Sequence, residues 1–164
     1  MSGLGTSASP SLWVRLLPPP RGGYSGSRLS AHFLAFLGVL TIVPGCIHSF
    51  LPDGGAGVIA GLDLEKCGGV IVAMFAWAGA TQIAFGIVML LAGVRYRVLV
   101  PGVLALVLLE RGLHAVNAWL LPSAGTRHHP PEHYAVLVGV PLLLIALALS
   151  LRDREGGRSA GEPR

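Results

Sequence analysis

Charge is scarce in this chain. Only 12% of its 164 residues are Asp, Glu, Lys or Arg, against about 25% in a typical soluble domain. A surface that must face water all round is therefore excluded. There is one lysine, Lys66, against eleven arginines, the pattern of a GC-rich bacterial genome. The two cysteines, Cys46 and Cys67, form no CxxC motif, so thiol–disulfide catalysis has no support. A bridge between them stays open, because both lie within a few residues of one connection. No GxSxG, Walker A, HExxH or dinucleotide fingerprint occurs. The leaning is away from an enzyme. No internal repeat relates the apolar runs, which argues against an inverted-repeat transporter.

What is abundant is apolar sequence. Hydrophobic residues make up 52% of the chain, and the mean hydropathy is +0.67. Four runs are long or nearly long enough to cross a hydrocarbon core, which needs about 20 residues of helix. They span about 30–51, 67–94, 98–121 and 134–151. The sequence thus predicts an all-α integral membrane bundle of four transmembrane helices over 30–151. A basic, disordered tail precedes it over 1–29, and a charged tail follows over 152–164. Pro44 and Pro141 lie inside spans and weaken them locally, whereas Pro101 falls in a first turn, where a missing N–H is harmless. The second span is dense in small residues, Ala73, Ala76, Ala78, Gly79, Ala80, Ala84 and Gly86, with small-xxx-small pairs at Ala76/Ala80 and Ala80/Ala84, which places it at the centre of the bundle.

The net charge of +4 does not indicate nucleic acid. Its carriers sit in tails and one short connection, which is the pattern of membrane topology. Nine arginines (15, 21, 28, 95, 97, 152, 154, 158 and 164) flank one side of the spans, against Lys66 and Arg127 on the other. The excess predicts an inner (plasma) membrane protein with both termini cytoplasmic.

Polar residues inside the spans are the candidate site, since a charge at bilayer depth costs about 2.5–3.5 kcal/mol on insertion scales. Glu110, His114 and Asn117 share one face of the third span, and Arg111 points about 100° away. His48 in the first span and Gln82 in the second complete a polar strip from mid-membrane to the outer surface. A structural role for Glu110 and Arg111, pinning helix register, stands beside the functional one. At the mouth of the strip, His128, His129, Glu132 and His133 form a metal-ligand candidate cluster. Its two prolines, Pro130 and Pro131, prevent a helical HxxxH face. The first connection, 52–66, is either a cap over the bundle or a connector with an Asp53-Gly54 turn.

Four spans, cytoplasmic termini and the Glu110-Arg111-Gly112 trio resemble the small bacterial DoxX-like membrane proteins over 30–151. The resemblance implies an inner-membrane protein, in some relatives linked to quinone redox complexes, and carries over no active-site residue. The expected function is therefore an outward-facing polar cleft that binds a small or lipidic ligand or a partner membrane protein. The alternatives are a redox-associated protein binding quinone, haem or metal, and a transporter subunit that would need homo-oligomerisation.

Overall fold

The computed structural model describes residues 23–121 and 129–152. Among these, four helices are long and apolar enough to cross a membrane, and no strand occurs. They are α1 (Arg28–Phe50), α2 (Gly68–Val94), α3 (Val100–Trp119) and α4 (Pro131–Ser150). The expected tail residues 1–22 and 153–164, and Arg127 and His128, lie outside the described residues.

Local sequence sets each boundary. The Ser27 side chain accepts from the Leu29 N–H, so α1 starts earlier than the apolar run alone implies. Pro52 follows its end, where the Leu51 N–H closes on the Ile47 carbonyl. A single 3-10 turn, Arg97–Leu99, reverses the chain between α2 and α3. Pro101 sits in the first turn of α3, as its missing N–H allows. The last helix begins at Pro131, three residues before the expected start at Tyr134. The prolines keep His129 outside the helix, so His129 and His133 share no helical HxxxH face, as expected; Pro131 itself starts the helix, because proline's fixed φ suits a first helical position. His133 and Glu132 are thereby helical.

The helices pair as two hairpins, α1 with α2 and α3 with α4. The first is zipped by glycine. A Cβ at Gly45 would meet the Gly79 carbonyl at 2.9 Å, one at Gly38 the Gly86 carbonyl at 2.8 Å, and one at Gly93 the Ala31 carbonyl at 2.5 Å. Seven residues along each helix carry one contact to the next, so the antiparallel backbones stay in close approach over their length. Of the small residues expected to allow close packing, Gly79 and Gly86 lie in this interface, whereas Ala80 and Ala84 of the small-xxx-small pairs are exposed. Contrary to expectation, α2 is not central. Only 11% of its most apolar window is buried, against 22% in each other helix. Small residues on a helix permit close packing without saying how many neighbours pack there.

All four helices meet only at the end that carries the termini. Ala31 and Leu34 of α1, Met89 and Ala92 of α2, Val100 to Val107 of α3, and Leu143 and Ala146 of α4 form the core. There the Ser30 hydroxyl donates to the Ala146 carbonyl at 2.8 Å, and the Ser27 N–H to the Leu149 carbonyl at 3.2 Å. Towards the opposite end the hairpins enclose a groove.

The connection between α1 and α2 covers that end. Asp53 organises it, accepting from the N–H groups of Gly55 (2.9 Å), Gly57 (3.2 Å) and Val58 (2.9 Å). Gly54 and Gly55 have φ of 61° and 75°, which glycine adopts without strain. Ala56 and Ala60 are buried beneath the cap. Both described cysteines are free thiols.

Candidate functional site

The groove has a volume of about 890 Å³. Its walls are one stripe of α1, Phe33 to His48, and one of α4, Pro131 to Leu143. Phe75, Gln82 and Met89 of α2, with Val107 and Arg111 of α3, make its floor, and Gly55, Ile59, Ala60 and Leu62 roof it. The α1 stripe runs for roughly 22 Å at about 1.5 Å per residue, longer than one leaflet of a hydrocarbon core about 30 Å thick. Phe36 and Leu40 on one wall and Val138 and Leu142 on the other are exposed, so the groove opens sideways between α1 and α4.

Its polar groups are unevenly placed. His48, Arg111, Glu132 and His133 line the capped half, while the half towards the termini is walled by Phe33, Phe36, Leu37, Met89, Val107 and Leu143. Gln82 and Thr41 lie between, the Thr41 hydroxyl donating to the Leu37 carbonyl. The Gln82 Oε1 is enclosed without a hydrogen-bond partner, as is the Ser49 hydroxyl.

Arg111 is the hub. Its Nε lies 3.1 Å from Glu110 Oε2 and its Nη1 3.1 Å from Glu132 Oε1. The arginine side chain is 23% exposed, and the carboxylates 46% and 43%. The neighbouring sector to which the helical repeat assigns Arg111 is thus the groove itself. The face shared by Glu110, His114 and Asn117 is not: Glu110 and Asn117 are exposed, and none of the three lines the cavity. Of the sequence candidates, Arg111, His48 and Gln82 come to one groove, joined there by Glu132 and His133.

His48 is held by its Nδ1, 2.7 Å from the Gly54 carbonyl, and by edge contact with Phe75. A carbonyl only accepts, so Nδ1 carries the proton of this hydrogen bond. His114 belongs elsewhere, packing edge-on against His133 with centroids 5.5 Å apart. His48 and His114 therefore sit in separate clusters, which gives no support to a haem between them.

The histidine segment folds against the end of α3. His129 stacks on Trp119 with centroids 4.5 Å apart, and its Nδ1 lies 3.2 Å from that of His133. Trp119 Nε1 donates to the His133 carbonyl at 3.0 Å. Among the described residues no group of three or more His, Cys, Asp or Glu is arranged to hold a metal ion.

Sequence reasoning overlooked the Arg111–Glu132 pair, Trp119 and the apolar walls. The α1 wall had a signal: Phe33, Leu37, Leu40, Pro44 and Ile47 recur at helical spacing. In an apolar span such a stripe is hidden, because its other faces are apolar too.

No family model matches the chain, and no curated protein and no solved structure matches it.

Proposed function

We propose that this membrane protein binds an amphipathic, lipidic ligand in the groove between its two hairpins. The observation that carries the reading is the division of the groove along its length. Polar side chains stand at the capped end, largely apolar walls fill the rest, and the opening between α1 and α4 is flanked by exposed apolar side chains. The cap over residues 52–62 favours entry from the lipid over entry from water.

The positive-inside count supports placing the cap on the extracytoplasmic side of a bacterial inner membrane, so the ligand's polar end would sit at the outer leaflet. A quinone belongs to the same amphipathic class, and the DoxX-like resemblance favours keeping that redox reading second. Neither reading needs a catalytic residue.

Gly139 supplies the test. It lines the groove, and a Cβ built there meets nothing within 4 Å. Gly139→Phe should fill the groove without displacing backbone. Wild-type protein purified in mild detergent is expected to carry a bound amphiphile in native mass spectrometry, and the variant to lose it at an unchanged melting temperature. Equal retention by both proteins contradicts the proposal.

A further inference from the structure

On the reading that the groove holds an amphiphile, we infer that its headgroup is non-ionic and hydroxyl-bearing, as in a diacylglycerol. The inference rests on how the groove's charges are already engaged.

Among the described residues that line the groove, Arg111 is the only arginine or lysine and Glu132 the only carboxylate, and they face each other at 3.1 Å. Glu110 holds the guanidinium from the other side, also at 3.1 Å. An anionic headgroup finds no unengaged arginine or lysine among these lining residues. It would lie beside Glu132 or displace it, and either leaves like charges together in a medium of low dielectric. A cationic headgroup would compete with Arg111 for the carboxylates and meet its repulsion. A non-ionic headgroup leaves both ion pairs intact.

The hydrogen-bonding groups narrow the class further. The guanidinium has five N–H donors, and its two ion pairs engage one each on Nε and Nη1, which leaves the second N–H of Nη1 and the two of Nη2. On the acceptor side are the second oxygen of Glu132 and the Oε1 of Gln82, which is enclosed without a hydrogen-bond partner. A hydroxyl both donates and accepts, so it can answer both kinds of group, whereas a carbonyl can only accept. Below this end, the walls from Leu40 to Phe33 and at Leu142 offer acyl chains nothing but apolar contact.

The test compares three probes with identical oleoyl chains in phosphatidylcholine nanodiscs: dioleoylglycerol, dioleoyl phosphatidic acid and dioleoyl trimethylammonium-propane. Retention is read by native mass spectrometry for the wild type, Gly139→Phe and Glu132→Gln. The wild type is expected to retain dioleoylglycerol about tenfold over either charged probe, a factor equivalent to about 1.4 kcal/mol. Gly139→Phe abolishes that retention. Glu132→Gln, which takes one carboxylate from Arg111, shifts the preference towards phosphatidic acid. Val138→Trp, at an exposed position on the same wall, serves as the blocking variant if Gly139→Phe does not yield monodisperse protein. A wild-type preference for a charged probe that the blocking variant removes overturns the headgroup inference and leaves the groove reading standing. Retention of all three probes unaffected by either blocking variant overturns both.

Discussion

Arg111, in the middle of α3, reaches Glu132 in the first turn of α4 at 3.1 Å and so ties the two helices of the second hairpin together at the capped end of the groove. The contact exists because α4 begins at Pro131, which puts Glu132 on a helix rather than in a loop. It also explains how a guanidinium persists in an apolar span, since partners at the wetter end draw the side chain towards them.

Removing Arg111 should cost more than removing the pair. Arg111→Leu leaves Glu110 and Glu132 without their shared cation, and is expected to destabilise the fold by roughly 1–3 kcal/mol, between the values for surface and buried pairs. Arg111→Leu combined with Glu132→Leu should recover part of that loss. A double-mutant cycle on detergent-solubilised protein measures the coupling. Strict additivity would show that the contact is idle.

The glycine contacts should be sharply positional. A Cβ at Gly79 meets the Gly45 carbonyl at 2.7 Å and the Ser49 hydroxyl at 2.6 Å, whereas one at Gly102 meets nothing within 4 Å. Gly79→Val is expected to lose about 1–3 kcal/mol through overpacking. Gly102→Ala should be neutral or gain about 0.5–1 kcal/mol. Thermal unfolding of the two variants side by side checks this, and equal losses would contradict the interface.

The cap should be acid-sensitive through Asp53. The Val58 N–H, followed by those of Gly55 and Gly57, holds its carboxyl below the ordinary value of 3.8. These bonds are lost on unfolding, so the folded value is the depressed one. The stabilisation is complete above 3.8 and disappears as pH falls through the depressed value. Amides of residues 55–58 should exchange slowly in the wild type at neutral pH, and fast in Asp53→Ala. Equal protection in both proteins would show that Asp53 does not hold the cap.

The proposed orientation has its own check. Cys67 is exposed at the capped end, and Cys46 is partly buried in α1. A membrane-impermeant maleimide added to intact spheroplasts should label Cys67, with Cys46 reacting only after denaturation. Labelling of Cys67 only after the membrane is opened would reverse the topology.

Much of this fold is legible in the apolar runs. The four spans are long and apolar, and the Arg95–Arg97 turn separates the second from the third, but the starts at Ser27 and Pro131 are set by a cap and a proline outside the apolar runs. The site was less legible. The period of α3 separates Arg111 from Glu110 and His114, but period alone does not say which sector faces the cavity. The small residues of α2 likewise left their interface open, until Gly79, Gly86 and Gly93 met α1. In a soluble helix, polarity marks the outer face. In these spans most faces are apolar, so partner choice rests on shape and on a few polar contacts.

The groove's occupancy is tested most directly by position-resolved photocrosslinking. A photoreactive residue is placed at Leu40 or Leu142, which line the groove, and at Val39 or Ile145, which are exposed but do not line it. After detergent exchange strips loosely associated lipid, irradiation should capture one amphiphile per protein from Leu40 and Leu142, and none from Val39 and Ile145. Equal capture at all four positions, or capture at none, would contradict a bound ligand in the groove.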